Sequence, residues 1–457
     1  MYIEQLYTNC LAEAAYYIES NGEAAIIDPL RETEPYIELA AKRGAKIKYV
    51  FETHFHADFV SGHIDLARKV NAPIVYGPLA ETQYEVINAK DNQEFKIGQL
   101  TIRVLHTPGH TPESSCFLLL DEKGKEHAVF TGDTLFVGDV GRPDLLDGFM
   151  SREELAGMLY DSLNTRIKTL PDNVIVYPAH GPGSACGKNI GKETFSTIGE
   201  QKKFNYALKD QSREEFVKEL TSGILPPPQY FFEDARINKE GYEAIDVVID
   251  RNSKPLKASE VQSMIDDGVT ILDTRSADEF EKGFIPGSIN IGLNGQFAVW
   301  VGTLIPIGQA LVLVTSPGKE KESVLRLARV GYESVEGFLE GGISSWKGKL
   351  DKVKSINADQ MKDFGGAEVL DVRKPGEWNV GHLRDAKFVP LSDMPGNLES
   401  LDKSGTYVVH CGGGYRSMTA ISLMKREGFQ NLINVYGGFG AMVNAGVKIV
   451  TEEVASL

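Results

Sequence analysis

The sequence predicts an α/β protein in three modules, and three observations predict it: short apolar strands alternate with helical stretches over the first two hundred residues, a proline-rich break follows, and the remainder repeats itself once. A chain of 457 residues exceeds one ordinary core. Its 42% apolar and 25% charged residues are those of folded protein, not of a chain that fails to collapse. The net charge of -16 repels phosphate backbones and anionic lipid, so neither nucleic acid nor a membrane is expected as a partner. The opening MYIEQLYTNCLAEAAYYIES carries acidic residues where a signal peptide needs a basic stretch and an apolar run, and no segment approaches membrane-spanning length; a cytoplasmic location is expected. Cys10, Cys116, Cys186 and Cys411 show no pairing rhythm, which argues against a disulfide framework. Cys10 and Cys116 sit in apolar strand-like contexts and read as core.

In the first module, residues 1–235, four strands each run into a residue able to ligate a metal. IKYVFETH ends at His54, TIRVLHTPGH at His110, EHAVFTGD at Asp133 and VIVYPAH at His180, so distant residues can meet along one rim of a packed sheet. His56 and Asp58 follow His54 on alternate residues. A lone histidine in a core is more often structural than ligating, but this density, joined by ligands at three other strand ends, points to a metal site. Cys186, close to His180 and among glycines, is read either as a thiol near the pocket or as a small buried filler.

The break follows. GILPPPQYFFEDARINKEGYEAID shows three consecutive prolines and no amphipathic period, so an extended linker is expected, assigned to residues 236–256. Tyr230, Phe231 and Phe232 are too apolar for a free tether and are expected to dock on a domain face.

The remainder is a duplication, residues 257–350 and 351–457. ILDTRSADEFEKGFIPGSINI aligns with VLDVRKPGEWNVGHLRDAKFVPL, pairing Asp273 with Asp371, Arg275 with Arg373, Glu279 with Glu377 and Gly283 with Gly381. Each copy ends in a double glycine and alternates strand with helix, which predicts a small parallel-sheet domain. In the second copy an apolar strand leads to Cys411, then Gly412, Gly413, Gly414, Tyr415, Arg416 and Ser417 at the start of an amphipathic helix. Glycines let backbone N–H groups turn inward, and the helix N-terminus with Arg416 adds positive potential, so the thiol is expected to ionise readily and to hold an anionic persulfide. In the first copy Ser316 stands where Cys411 stands, Pro317 removes a donor and the glycine run is gone; that copy is expected to be catalytically silent.

These residues resemble known families. The H-x-H-x-D motif with later His, Asp and His resembles the metallo-β-lactamase superfamily, which implies an N-terminal αββα sandwich ahead of the two α/β repeats. Where two-zinc hydrolases of that superfamily carry a histidine after the motif aspartate, this chain has Phe59, which offers no lone pair, so one metal per chain is expected. TGDTLFVGDVGRPDL resembles the persulfide dioxygenase branch, which implies Fe(II) held by His54, His110 and Asp133, with zinc as the alternative. Two imidazoles and a carboxylate on one face of the ion leave room for substrate and dioxygen together. His56, Asp58 and His180 then orient the site or hold a weak second metal, and Arg142 is implied as a contact for substrate carboxylates.

The loop from Cys411 to Arg416 resembles a rhodanese active site. Its C-x-x-x-x-R spacing is one residue shorter than in related phosphatases, which favours sulfur over phosphate. The module order resembles bacterial persulfide dioxygenase and rhodanese fusions. It implies oxidation of a small thiol persulfide (glutathione, coenzyme A or similar) by dioxygen to sulfite, and transfer of sulfane sulfur to sulfite through Cys411. The alternative is a zinc thioester or lactone hydrolase with the repeats as sulfur carrier or persulfide sensor. A homo-oligomer is expected because symmetric assembly is common.

Overall fold

The computed structural model describes residues 1–145, 150–224 and 226–451; Leu225 of the proline-rich stretch and the end of the second repeat beyond 451 lie outside the described residues. The chain divides into two compact units, Met1–Val248 with Leu327–Gly331, and Ile249–Arg326 with Tyr332–Leu457.

The first unit holds two six-stranded sheets. In one, Tyr2–Thr8, Glu13–Ser20, Glu23–Ile27, Lys46–Phe51, Ile74–Tyr76 and Ile87–Asn88 lie in sequence order, antiparallel at first and parallel from the third strand on. In the other, Glu94–Ile97, Leu100–His106, Ser115–Leu120 and Glu126–Gly132 form an antiparallel meander that Ile175–Pro178 joins in parallel. Strand alternation builds four layers. On Glu13–Ser20, Ala14, Tyr16 and Ile18 face the core between the sheets, whereas Ala15 and Tyr17 face an outer core with Tyr36, Ala40 and Leu66 from the helices Glu34–Arg43 and His63–Val70. On Ser115–Leu120, Phe117 and Leu119 face inward, and Cys116, Leu118 and Leu120 pack outward against Ala156, Leu159 and Phe216 of the helices Arg152–Ser162 and Arg213–Thr221. Each fully buried Leu or Phe in these layers contributes about 1.5–3 kcal/mol. This is the αββα sandwich.

The stretch expected to be an extended linker is helical instead, with helices Tyr230–Glu240 and Ile245–Asn252. The prolines occupy only 226–228. Beyond them the burial of Tyr230 and Phe231 favours a helix, while Phe232 stays exposed. Asn238 ties this helix to the histidine motif: its amide donates to the carbonyls of His56 and Phe59, both at 2.8 Å, and accepts from the N–H of Ser61 at 2.9 Å.

In the second unit the duplication is visible as topology. Pro255–Leu256, Val335–Leu339, Leu311–Val314, Thr270–Asp273 and Ile289–Asn290 form a five-stranded parallel sheet; Lys354–Ile356, Asn431–Val435, Thr406–His410, Glu368–Asp371 and Ala386–Phe388 form a second in the same order. The aligned residues make the same contacts. Arg275 pairs with Asp273 at 2.6 Å and donates to the carbonyl of Gly283, as Arg373 pairs with Asp371 at 2.6 Å and donates to the carbonyl of Gly381. Among the described residues no helix is long and apolar enough to cross a membrane.

Candidate metal centre and persulfide loop

The four strand ends deliver His54, His110, Asp133 and His180 to one rim of the sandwich, all essentially buried. One ligand atom each from His54, His110 and Asp133 lies within 4.8 Å of the others, with His110 Nε2 at 3.4 Å and His54 Nε2 at 3.9 Å from Asp133 Oδ2. Local hydrogen bonds decide which ring nitrogen faces inward. The Thr53 hydroxyl donates to Asp28 Oδ2 at 2.8 Å and so accepts from Nδ1–H of His54 at 2.9 Å. Nδ1–H of His110 donates to the carbonyl of Arg142 at 2.7 Å, and that of His180 to the carbonyl of Ala12 at 3.2 Å. Each ring is therefore held in the tautomer that presents an Nε2 lone pair, as imidazole ligation requires. Both oxygens of Asp133 and Nε2 of His180 are buried without a hydrogen-bond partner, a costly arrangement that a cation would relieve. Burial and the neighbouring imidazoles push the His54 pKa well down, which keeps the ring neutral and able to ligate. At His180 burial also disfavours the charge, but Asp58 and Asp133 outweigh it and the pKa is raised.

The donor set fits a metal, and it holds more than one triad. His56, Asp58 and His180 form a second group of buried donors, with His180 Nε2 at 3.4 Å from Asp58. His56 also faces away from it, with Nε2 at 3.2 Å from Asp28 and 3.5 Å from Glu52. Phe59 is fully buried and lies against the His56 imidazole, ring centroids 4.4 Å apart. Cys186 is buried within reach of Asp133 and His180, and burial with the Asp58 and Asp133 charges pushes its pKa well up. Of the two sequence readings of Cys10 and Cys116 as core, only Cys116 is buried; Cys10 is partly exposed.

Arg142 does its visible work through the backbone. Its carbonyl holds His110, while its guanidinium gives two bonds of 2.7 Å to Asp144 and one of 3.2 Å to the Ala185 carbonyl. Sequence reasoning missed Asp28, Thr53 and Asn238, which orient the motif. Asp28 was within reach, because it follows the strand Glu23–Ile27 just as His54, His110, Asp133 and His180 follow theirs.

In the second unit Cys411 follows the strand Thr406–His410 and is 1% exposed. Gly414, with φ of 107°, turns the chain into the helix Tyr415–Arg426 and points its own N–H at Cys411 Sγ, 3.1 Å away. Ser417 Oγ lies 3.7 Å from the sulfur and is fixed by Asn434 at 2.7 Å. Among the described residues no hydrogen bond from Gly412 or Gly413 to the sulfur accompanies that of Gly414. Arg416 is held by Glu377 through two bonds of 2.5 and 2.8 Å and also interacts with the Cys411 sulfur. The double glycine closes the loop: Gly438, φ 51°, sits where a Cβ would fall 2.3 Å from the Cys411 carbonyl oxygen, and the N–H of Phe439 donates to that oxygen at 2.7 Å. Tyr415 reaches the first repeat, its hydroxyl donating to the Gly292 carbonyl at 2.7 Å. In that repeat Ser316 donates instead to Glu279, the counterpart of Glu377.

Comparison with known proteins finds relatives of both halves of the chain. The metallo-beta-lactamase superfamily profile matches residues 8–180, and the rhodanese-like domain profile matches 257–349 and 356–445. The human mitochondrial persulfide dioxygenase ETHE1 is 33% identical over 210 residues, covering 45% of this chain and 74% of the relative. A cytoplasmic hydroxyacylglutathione hydrolase of Arabidopsis thaliana is 36% identical over 176 residues, covering 37% of this chain and 65% of the relative. The crystal structure of a metallo-beta-lactamase from Staphylococcus aureus superposes with a TM-score of 0.66 at 32% identity, covering 74% of this chain and 99% of the other. The chain belongs to the metallo-beta-lactamase superfamily. Within it, the homology to persulfide dioxygenases and the two rhodanese-like domains make it a fusion of persulfide dioxygenase and rhodanese type.

Proposed function

We propose that the first unit oxidises a small thiol persulfide with dioxygen and water to sulfite and the free thiol, and that Cys411 passes a sulfane sulfur to sulfite to give thiosulfate. The observation that carries the first half is the convergence of three Nε2 and carboxylate donors, His54, His110 and Asp133, on one point. That set suits Fe(II), which when bound supplies the redox capacity that reaction with dioxygen requires. The chain's own part is to fix the tautomers through Thr53, Arg142 and Ala12. Asp58 and His180 stand ready to anchor a water beside the ligands.

At the second site the thiolate of Cys411 attacks the outer sulfur of a persulfide, RSSH, and RSH leaves. The new Cys411 persulfide anion is held by Gly414 N–H and the nearby Arg416. Sulfite then attacks the outer sulfur, thiosulfate departs and the thiolate returns.

A zinc-dependent thioester hydrolase is the second reading. It is favoured by the second triad, His56, Asp58 and His180, together with the hydrolase relative. Metal analysis of oxygen-free protein, with oxygen uptake and sulfite formation measured on glutathione persulfide and hydrolysis on a glutathione thioester, separates the two. Asp133→Ala is expected to lose metal and sulfite formation while sulfur transfer to cyanide persists. Zinc-loaded protein that cleaves thioesters without consuming oxygen would overturn the dioxygenase reading.

A further inference from the structure

An open cleft of about 460 Å3 lies beside the Cys411 loop. Val380, Phe439, Val443 and Ile449 make its walls apolar, and Val380 and Val443 are 79% and 48% exposed. Two charged side chains border it, and both are already matched. Arg373 gives Nε and Nη2 to Asp371, and Glu377 is bound through both oxygens by Arg416. The cleft abuts the reactive segment: Phe439 donates its N–H to the Cys411 carbonyl, and Glu377 Oε1 lies 3.4 Å from the place a Cβ on Gly412 would occupy. Arg416, bound to Glu377, supplies a cation at that end. A ligand suited to this layout has an uncharged apolar body and an anionic sulfur head. A peptide-like carrier would have to bury unmatched carboxylates against apolar walls.

We propose that this cleft binds the apolar body of the donor that loads Cys411, so that the sulfur-transfer site prefers alkyl or aryl donors over peptide-like carriers with several charges. The inference rests on the reading of Cys411 as a sulfur carrier. Alkanethiosulfonates, R–SO2–S−, are suitable probes. The Cys411 thiolate attacks the terminal sulfur, the bond between the two sulfurs breaks, and the sulfinate R–SO2− leaves with the electron pair, giving Cys411–S–S− with no further oxidant.

The test is kcat/KM for methane- to butanethiosulfonate with cyanide as acceptor, using the full chain. Each methylene that leaves water is worth about 0.8 kcal/mol, so the series should rise about fourfold per carbon. Val443→Asp, at an exposed helical position, should flatten it. A flat series in the wild type overturns the proposal, and so does a rising series that survives Val443→Asp. Absence of transfer from every donor, with Cys411→Ser indistinguishable from wild type, overturns the sulfur-carrier reading itself and is recognisable as that separate failure.

Discussion

Gly438→Ala tests whether the shape of the Cys411 loop controls sulfur transfer, and the first repeat supplies its matched control. Gly438 and its counterpart Gly342 both adopt positive φ, 51° and 62°. An alanine at either position suffers left-handed strain of about 1–2 kcal/mol. Only at Gly438 does the added methyl also overlap the reactive segment, 2.3 Å from the Cys411 carbonyl oxygen; at Gly342 the nearest atom, the Thr315 carbonyl oxygen, is 3.3 Å away. Relieving the overlap breaks the Phe439 N–H bond to Cys411, worth about 1 kcal/mol. The strain bearing on the Cys411 loop is thus about 2–3 kcal/mol. If half or more of it must be supplied to restore the reactive shape, transfer slows about 5- to 150-fold. Single-turnover loading from thiosulfate followed by cyanide release reads that rate, and thermal unfolding reads stability. Gly342→Ala should lower Tm and leave transfer within about twofold, since it perturbs no group near the sulfur. The reasoning fails if Gly438→Ala lowers Tm yet transfers sulfur at the wild-type rate.

Phe59→His should raise zinc bound after equilibrium dialysis from near one toward two per chain, because an imidazole would join Asp58 and His180; unchanged stoichiometry would show that position 59 does not set metal number. At Gly295 a Cβ would fall 2.5 Å from the Tyr415 ring, so Gly295→Val should displace the start of the catalytic helix and slow sulfur transfer at least tenfold while sulfite formation continues. Tyr415→Phe, which keeps the ring and loses only the hydroxyl bond to Gly292, should cost less than about fivefold, near one hydrogen bond; equal rates in both variants would refute the contact's role. Burial raises the Cys116 thiol to about 11 from 9.0, so its contribution to stability is intact below the unfolded pKa and fades as pH rises from 9 toward 11. Urea midpoints should show wild type losing about 2–3 kcal/mol more than Cys116→Ala over that range, and parallel pH slopes would contradict it.

The clustering of His54, His110, Asp133 and His180 was legible because each follows an apolar strand, and strands that share a sheet bring their ends to a common rim whatever their separation in sequence. The orienting groups were harder. Asp28 obeys the same rule and was readable, but Thr53 acquires its role only from the Asp28 carboxylate and His54 ring that flank its hydroxyl. Asn238 stands 182 residues from His56, and no local pattern predicts its two bonds to the motif backbone. The same distance explains the linker. Three prolines were read as the character of the whole segment, whereas Tyr230 and Phe231 find a core and tertiary packing overrides the local signal. At the persulfide loop the sequence pointed to several glycine donors, but Gly414 is the one whose N–H reaches the sulfur, a matter of φ at one residue.

The duplication separates what builds a repeat from what makes it reactive. Aspartate, arginine and the glycine carbonyl they share recur in both copies with bond lengths alike to within about 0.1 Å, and the double glycines recur in the same backbone region, so these residues specify the fold. The glutamate that follows is also present twice, but it serves different partners: Glu377 holds Arg416, and Glu279 holds the Ser316 hydroxyl. Ser316, standing where Cys411 stands in the second copy, therefore forms a satisfied hydrogen bond. The first copy also contacts the helix Tyr415–Arg426, through Gly292 to Tyr415, Asn290 to Ser422 and Gly287 to Arg426. Those contacts span the helix from its first turn to its last residue, so the first copy restrains the element that carries Arg416 and adjoins Gly414. Selection on sulfur transfer would then act on the first copy through these positions and not through Ser316.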